Sequence, residues 1–461
     1  MKKLLLILMA VVGSITANAQ EIHEDFDLST GWTWSWDCTQ SYANNVVTIT
    51  LTANNGALSR GWNDGIDWSD YSSVTVILDE YDGEEPYFKI YATDKNGKNV
   101  FSYQTYTPEA KAYTVNLDND RANDADVTSV KQFGIIGGQS GDIIKISRVY
   151  LTRKTTREIT PFDPATAAYG WNSNYSSDTK MISFTDAWGA WGWGLNIDNS
   201  SATYKSAVFL FEPLPAKVEI DINGAKAREV EAQGTYAVYD ISDLTNISNF
   251  FIKLSTAQKI RLKKAYFSNL PQALEEQYIN THDYPLVTSL GYTTHVTGRA
   301  IDFTDSGLDA YIATSVNTND ITFTRVTSVP AGTPLLLKGS AGCYELEKSG
   351  IETEDVSRNK LSASDGTVSG GATIYILSKS GTDAVFAPTS ASIKIPKGRA
   401  YLDTTAGARL YMSFDNDLTG INDITTKPAI EDNVYYDMQG RRVAHPTKGL
   451  YIMNGKKVII K

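Results

Sequence analysis

Cysteine and histidine are scarce in this sequence of 461 residues. The two cysteines, Cys38 and Cys343, lie far apart, which makes them poor candidates for the disulfide framework of a small secreted domain. The four histidines occur singly, at His23, His282, His295 and His445. Without closely spaced ligands the sequence predicts no zinc site. The chain must therefore depend on hydrophobic cores, and a metal hydrolase is not indicated.

Basic residues are also in short supply. The chain has 42 Lys and Arg against 53 Asp and Glu, a formal net charge of −11. Such a chain repels phosphate backbones, so the sequence predicts no nucleic-acid binding. Beyond the first residues, no run approaches the ~20 apolar residues that a membrane helix needs. We therefore expect no membrane span.

Catalytic motifs are missing as well. The sequence contains neither the Gly-x-Ser-x-Gly nucleophile elbow nor a phosphate-binding Gly-x-x-x-x-Gly-Lys-Ser/Thr loop. Glycoside hydrolysis uses two carboxylates, but the pairs Asp79-Glu80 and Glu84-Glu85 are adjacent and would point to opposite faces of a strand. Exposed turn acids are the commoner role for such residues. Enzymatic activity is uncertain on this evidence, and a non-catalytic protein is favoured.

The N-terminus has the pattern of a secretory signal peptide. Lys2 and Lys3 precede the apolar run Leu4–Val12, and Ala17-Asn18-Ala19 offers a small-residue cleavage site. We expect the mature chain to begin at Gln20, with 40 basic and 53 acidic residues and a net charge of −13. The first cysteine lies well past this site, so a lipid anchor is not expected here.

The rest of the chain predicts an all-β protein. Short β-branched runs bounded by Gly, Asn, Asp and Ser recur along it, for example Val46–Leu51, Val74–Leu78, Lys89–Ala92 and Ile143–Ile146. Long helical periodicity is missing, and only a short helix over Gln272–Tyr278 is predicted. Short strands with frequent turns favour β-sandwiches.

An internal duplication supports two homologous sandwiches. Matching pairs in the two copies are Gly31-Trp32 with Gly170-Trp171, Val47–Thr50 with Met181–Phe184, Gly61-Trp62 with Gly192-Trp193, Tyr71 with Tyr204, and Ala112–Val115 with Thr235–Val238. Both copies close on an alternating strand, with Ile144, Ile146 and Tyr150 spaced as Ile260, Leu262 and Tyr266 are. The same residues of each closing strand should therefore face inward.

Composition changes divide the chain further. All nine tryptophans lie before residue 194, and the later segment is rich in Thr, Ser, Gly and Ala. Near the end, Asn454-Gly455 between two apolar runs predicts a β-hairpin. The predicted segments are a signal peptide (1–19), two sandwiches (20–154 and 155–270), a linker (271–283), a β-rich module of unknown role (284–420), a second linker (421–432) and a C-terminal tail (433–461).

Three parts of the sequence resemble known groups of proteins. Gly61-Trp62-Asn63 with Trp68–Ser73 and the strand order resemble the galactose-binding-like, jelly-roll carbohydrate-binding modules of secreted Bacteroidetes proteins. The phrase at 330–339 and Ala400-Tyr401-Leu402 resemble an uncharacterised β-rich segment from the same bacteria. Tyr436–Val443 and the hairpin after it look like the C-terminal sorting signal of the type IX secretion system. The resemblance implies delivery to the cell surface or the medium, with the secretion machinery as a partner of the tail.

Tryptophans are the candidate ligand-binding residues. Trp32, Trp34 and Trp36 alternate with small polar residues, so on a strand their indoles would share one side. Core packing is favoured for Trp32, whereas Trp34 and Trp36 are candidates for stacking on sugar rings. In the second copy a glycine-rich stretch places further candidates at Trp188, Trp191 and Trp193, for which a structural role is an equal alternative. Trp62 is a candidate because it corresponds to Trp193 in this alignment.

Three functional hypotheses remain open. The first is a secreted or surface-displayed, non-catalytic protein that binds a polysaccharide or another glycan through aromatic platforms. The second is a structural or adhesive surface protein that binds proteins, and the third is a glycosidase or polysaccharide lyase with an unrecognised site. No cofactor is predicted, although Glu24, Asp25 and Asp27 could offer oxygen ligands to a structural calcium ion.

Overall fold

The computed structural model describes residues 20–83, 86–101, 104–122, 124–162, 168–405, 409–415, 435–436, 442–443, 448–453 and 456–460. It divides into two compact units, Met1–Asp415 and Asn416–Lys461. The predicted signal peptide lies outside the described residues. The all-β prediction is confirmed, because antiparallel sheets make up most of the described chain. Its predicted short helix is present as α1 (Gln272–Asn280).

The first sandwich is built from ten strands. They are β1 (His23–Asp25), β2 (Cys38–Ala43), β3 (Val46–Leu51), β4 (Ala57–Ile66), β5 (Tyr71–Asp82), β6 (Phe88–Asp94), β7 (Gln104–Tyr106), β8 (Ala112–Asn116), β9 (Val130–Ile136) and β10 (Ile143–Arg153). One sheet has the order β2-β3-β10-β5-β8, with β1 paired to β10, and the other has the order β4-β9-β6-β7. A single 3₁₀ turn, Val127–Ser129, leads into β9.

The second sandwich has eleven strands in the part of it that the structure describes. They are β11 (Ile159–Pro161), β12 (Ala168–Trp171), β13 (Ser173–Ser176), β14 (Met181–Phe184), β15 (Gly189–Asp198), β16 (Ser206–Phe211), β17 (Val218–Ile222), β18 (Ala225–Val230), β19 (Tyr236–Asp240), β20 (Asn246–Leu254) and β21 (Lys259–Ser268). Its sheets have the orders β13-β14-β21-β16-β19, with β11 paired to β21, and β12-β15-β20-β17-β18. The strand order of the first sandwich is thus repeated, with β12 added at an edge.

Alternation along the strands explains both cores. In β20 the residues Phe250, Ile252 and Leu254 are buried in the second core, and those between them face outward. In β9, Phe133 and Ile135 likewise point into the first core. A strand of period two fixes which side chains can reach the sandwich interior, so each sheet has one inner and one outer face.

The pairing registers correct part of the sequence alignment of the two copies. Trp36 bridges to Ala57 in the first sandwich, as Trp171 pairs with Ala190 in the second. Trp171 is therefore matched by Trp36 and not by Trp32. Counting from the two alanines, Trp193 is three residues along β15 and Trp62 is five residues along β4. The landmarks Gly61-Trp62 and Gly192-Trp193 are thus not equivalent.

The described residues of the third module form fifteen strands. They are β22 (His282–Asp283), β23 (Leu286–Val287), β24 (Tyr292–Val296), β25 (Ile301–Asp302), β26 (Asp309–Val316), β27 (Asp320–Val326), β28 (Ser328–Val329), β29 (Pro334–Lys338), β30 (Gly342–Cys343), β31 (Leu346–Glu347), β32 (Ser362–Ala363), β33 (Ser369–Ser380), β34 (Asp383–Lys394), β35 (Ala400–Asp403) and β36 (Leu410–Asp415). Nine of them form a sheet of order β24-β29-β26-β27-β36-β34-β33-β35-β32, in which β27 and β36 are parallel.

The third module packs on the same sheet of each sandwich. Against the first sandwich, Ser147 of β10 donates a hydrogen bond to the carbonyl of Gly350, and Arg148 forms ion pairs with Asp25 and Glu347. Against the second, Tyr266 of β21 packs in an apolar cluster with residues of α1 and the third module. The other sheet of each sandwich, which contains β4 in the first and β12 in the second, lies on the side away from the third module.

A buried ion network holds α1 between the modules. Arg157 and Glu275 are both fully buried, and the Arg157 Nη2 lies 2.8 Å from Glu275 Oε1. Arg157 Nη1 also lies 2.9 Å from Glu345 of the third module. Tyr266 donates to Glu275 over 2.8 Å. Buried charges are tolerated when paired and hydrogen-bonded in this way, so this network fixes which surfaces meet.

The C-terminal unit contains β37 (Tyr435–Tyr436), β38 (Arg442–Val443), β39 (Gly449–Met453) and β40 (Lys456–Ile460), in the order β38-β37-β39-β40. The predicted hairpin is confirmed, because Met453 pairs with Lys456 and only two residues connect the strands. These two residues lie outside the described part of the chain. Within the described residues no helix is long and apolar enough to cross a membrane. Cys38 and Cys343 are free thiols.

Candidate functional site

The outer face of one sheet in the second sandwich forms an aromatic cleft. Across neighbouring strands, Trp171 pairs with Ala190, Ala190 with Lys253, and Lys253 with Glu219. All four residues lie on the side away from the core, because Trp193 and Ile252 point inward from the same strands. Strands are ~4.8 Å apart, so the row extends roughly 14 Å across the sheet.

Two exposed indoles border this cleft, which has a volume of about 310 Å³. Trp171 is 72% exposed at the end of edge strand β12, and Trp188 is 63% exposed in the loop before β15. Asn172 and Ala187 complete this side of the cleft. Large apolar side chains with this exposure are unusual on a soluble protein unless they meet a partner.

The loop that carries Trp188 has a constrained backbone. Trp188 has φ 60° and Asn172 has φ 47°, both in the left-handed region that non-glycine residues seldom adopt. Thr185 N donates to Asn172 O over 2.8 Å, and Gly189 N donates to Asp186 O over 3.3 Å. These bonds hold the two strained residues in place. Such strain is found preferentially at binding sites, where it fixes the direction of a side chain.

Polar groups cross the floor of the cleft. Lys253 Nζ donates to Asp221 Oδ2 and lies 3.8 Å from Glu219 Oε1. The small side chain of Ala190 separates this charged group from the indole of Trp171. The cleft therefore offers apolar faces at one end and both hydrogen-bond donors and acceptors at the other, which suits a ligand with C–H faces and hydroxyl groups.

A second row of aromatic residues lies next to the first. Tyr169, which is half exposed, pairs with Gly192, and Phe251 lies across that glycine. A Cβ at Gly192 would come within 2.5 Å of Phe251 Cδ1, so only glycine lets the ring lie flat on the sheet. The Tyr169 and Phe251 rings meet edge to face with centroids 5.3 Å apart. The aromatic surface thus continues beyond the cleft.

Two tryptophans predicted to bind ligand lie elsewhere. Trp193 is fully buried in the core of the second sandwich, where its ring packs against Phe162 at 5.7 Å. Its prediction as a ligand-binding residue is wrong, because it alternates inward along β15. Trp191 also points inward, is half buried, and packs against Tyr175 at 5.8 Å. Of the three second-copy candidates, only Trp188 borders the cleft.

The first sandwich covers its corresponding face with its own chain. Trp36 is 39% exposed and lies over Tyr91, with ring centroids 6.1 Å apart. Ala57, Tyr91 and Ile136 form a small buried cluster beneath it. Trp34 is half buried and lies over Gly61, where a Cβ would come within 2.1 Å of the indole. Both indoles serve as a cover for the sheet.

The other two tryptophans of this region support the first core. Trp32 is buried and its Nε1 donates to Asp27 O over 2.9 Å, as core packing predicts. The expectation of one strand with all three indoles on one side is wrong, because the chain turns between Trp32 and Trp36. Trp62 is half buried and packs against Phe26 at 5.7 Å. It therefore packs against the core, and its role in ligand binding stays a prediction.

The candidate calcium ligands are engaged separately. Glu24 accepts a hydrogen bond from Tyr71 and lies 3.0 Å from Arg153. Asp25 pairs with Arg148, whereas Asp27 accepts hydrogen bonds from Ser29 and Thr30. The hydroxyl and amide donors lower the pKa of Asp27 to about 2. In the described part of the chain, no group of three or more His, Cys, Asp or Glu could hold a metal ion.

Sequence reasoning missed most of the cleft. Trp171 served only as a landmark of the duplication, and Lys253 and Glu219 were not singled out. The alternation of Tyr169-Gly170-Trp171 was the available signal, since two aromatic residues at strand spacing share a face. The signal for Lys253 and Glu219 is weaker, because their place beside Trp171 depends on pairing between strands distant in sequence.

None of the known protein-family models matches the chain, and none of the curated proteins does. Solved structures similar to parts of it are carbohydrate-binding modules and glycosidases. The family 11 carbohydrate-binding module from Clostridium thermocellum, in complex with a beta-1,3-1,4-mixed-linked tetrasaccharide, is 13% identical, with 29% of this chain and 96% of that chain covered and a TM-score of 0.22.

Two further structures have similar scores. The N-terminal CBM22-1-CBM22-2 tandem domain from Paenibacillus barcinonensis is 8% identical, with 55% of this chain and 99% of that chain covered and a TM-score of 0.19. An exo-beta-agarase is 13% identical with a TM-score of 0.23, and the match covers 30% of this chain and only 25% of the agarase. With TM-scores this low the similarity carries no argument, and the fold rests on the strands described above.

Proposed function

We propose that the chain is a non-catalytic glycan-binding protein and that the cleft of the second sandwich holds the sugar chain. The observation that carries the proposal is the pair of exposed indoles, Trp171 and Trp188, that line a cleft with a charged floor. Sugar rings have C–H faces that pack on indoles, and their hydroxyl groups bind carboxylate, ammonium and amide groups. Glu219, Lys253 and Asn172 supply those groups.

The proposal assigns the two sandwiches different roles. The first sandwich would support the chain, because Trp34 and Trp36 already cover its outer face. The second would bind the ligand. Avidity between two equal sites, which the duplication suggested, is not part of the proposal, since only one of the two faces is open.

Isothermal titration of the full chain against soluble plant, host and microbial polysaccharides tests the proposal. One ligand should give saturable heat, and Trp171→Ala with Trp188→Ala should weaken its binding at least tenfold, a loss of ~1.4 kcal/mol. Trp36→Ala is the matched control and should leave the affinity unchanged. If the double variant binds the polysaccharide with unchanged affinity, the sugar must bind at another site. Absence of heat with every polysaccharide, together with binding of a surface protein to the same face, would favour the adhesive alternative.

We also propose export to the cell surface or the medium. The signal-like N-terminus and the tail that resembles a type IX sorting signal support this location. Mass spectrometry of secreted material should find a chain that starts at Gln20. An intact Met1 in secreted protein would contradict the proposal. Loss of export after deletion of residues 433–461 would assign the sorting role to the tail.

A further inference from the structure

A second cleft, separate from the aromatic one, lies where the second sandwich meets the third module. It has a volume of about 440 Å³. Its sandwich side comes from the outer face of β14 and β21, and its other side comes from the third module, including the end of β34. Ligand sites are found preferentially at such module boundaries.

Cations surround this cleft. Lys259 and Arg261 lie two residues apart on β21 and so share a face, and Lys394 approaches from the third module. Among the described residues, no carboxylate lies within 4 Å of any of these three groups. The chain as a whole has a net charge of −11, so the positive charge here is local.

The one acid among the lining residues is already neutralised. Glu212 lies 2.9 Å from Arg399 Nη2, and Arg399 also donates to the carbonyl of Thr294 over 2.8 Å. Burial opposes ionisation of Glu212, but the charges of Arg399 and Lys263 lower its pKa to about 2. The cleft therefore keeps a net positive charge at neutral pH.

Arg261 is the cation most in need of a partner. Its Nε donates to Thr179 O over 2.9 Å, and its two terminal nitrogens make no hydrogen bond with the described residues. Burial and the neighbouring charge of Arg399 lower the pKa of Arg261. A guanidinium binds a carboxylate through two parallel hydrogen bonds, and the gain is larger where water is partly excluded.

The floor of the cleft is aliphatic. Ile393 is 47% exposed, and Met181, Leu377 and Pro215 line the same space. Tyr292 is stacked on Phe414 with centroids 6.1 Å apart. No tryptophan lines the cleft, so sugar rings lack the flat indole that the first cleft offers. Hydrocarbon bound on this floor would be removed from water, which favours binding.

We propose that this cleft binds a carboxylate joined to an aliphatic body, with the carboxylate on Arg261 between Lys259 and Lys394 and the hydrocarbon against Ile393 and Leu377. A medium-chain fatty acid and the free C-terminus of a hydrophobic peptide both have this chemistry. The site is independent of the glycan cleft, which lies on the other sheet of the sandwich.

Titration calorimetry of the full chain tests the proposal with four probes. Decanoate below its micelle concentration represents the fatty acid, and N-acetyl-Ala-Leu-Leu represents the peptide end. At least one of the two should bind saturably, and the one that binds identifies the source. Decanol and the amide of the peptide lack the carboxylate and should bind at least tenfold more weakly. Binding of the uncharged probes with equal affinity, or of neither acid at millimolar concentration, would overturn the proposal.

Variants locate the site. Lys259→Gln with Lys394→Gln should weaken binding of the acid at least tenfold without unfolding the protein, because both lysines are exposed and their side chains form no hydrogen bond or ion pair with the described residues. Lys205→Gln with Lys360→Gln changes the net charge equally outside the cleft and should have no effect. Arg261→Gln should weaken binding further, with a thermal midpoint to verify folding. If the cleft variant and the control variant bind the acid with equal affinity, the assignment of the site to this cleft is wrong.

Discussion

The two sandwiches share one strand order, but the outer face of one sheet differs between them. That sheet contains β4 in the first sandwich and β12 in the second. In the first, Ile136 and Tyr91 lie at the positions that Lys253 and Asp221 occupy in the second. Trp36 lies over Tyr91, whereas Lys253 lines the open cleft beside Trp171. Topology therefore determines where an indole can lie. Its neighbours across the sheet decide whether it packs on its own chain or remains free for a ligand.

The largest expected effect separates a core tryptophan from an exposed one. Trp193→Ala removes a fully buried indole and should lower the free energy of unfolding by ~3–5 kcal/mol. Trp171→Ala should change it by no more than ~0.5 kcal/mol, because the side chain is exposed. Urea unfolding of the two variants measures both values. Similar losses in the two variants would contradict the assignment of Trp171 to the open face.

The second prediction concerns the ion pairs that join each sandwich to the third module. Arg157→Met leaves Glu275 charged and fully buried without its partner, which should destabilise the chain by ~3–5 kcal/mol. Arg148→Met should have a smaller effect, since its partner Glu347 is partly exposed and can be solvated. Thermal unfolding ranks the two. A larger loss for Arg148→Met would show that the buried network is not the main attachment.

Acid should loosen two ion pairs between the sandwiches and the third module, Arg148–Glu347 and Glu212–Arg399, over one pH range. Burial raises the pKa of Glu347, but the His23 hydrogen bond and the Arg148 charge lower it to about 2, as the charges around Glu212 do for that residue. A carboxylate with a lowered pKa stabilises the fold above its ordinary pKa of 4.5, and this stability is lost as the pH falls through about 2. Limited proteolysis between pH 6 and pH 2 should show release only below about 4.5. Release at higher pH would implicate other groups.

A smaller effect comes from making the open face resemble the covered one. Lys253→Ile with Asp221→Asn introduces the isoleucine of the first sandwich and leaves no buried charge unpaired. Glycan affinity should fall roughly tenfold, and the thermal midpoint should change little. Calorimetry with the ligand found for the unchanged chain measures the loss. Unchanged affinity would show that the charged floor does not contribute to glycan binding and that the indoles alone provide it.

The fold was predictable from local signals, and the site was not. Strands such as Val46–Leu51 and the helix after Pro271 follow from β-branched runs and a change of periodicity, and the structure has both. Trp188 was found because a glycine-rich loop exposes it. Trp193 was misassigned because its inward direction depends on the register of β15 with β20. The partnership of Trp171 with Lys253 and Glu219 likewise depends on long-range pairing, which no local pattern encodes.

Indole spectra test whether the glycan binds the second sandwich and not the first, since all nine tryptophans lie in the two sandwiches. In a titration of nitrogen-15-labelled protein with its glycan, the Nε1–H resonances of Trp171 and Trp188 should shift and saturate together. Those of Trp34 and Trp36 should stay in place because these indoles cover their own sheet. Shifts of Trp34 and Trp36, with Trp171 and Trp188 unmoved, would contradict the account and make the first sandwich the binding module.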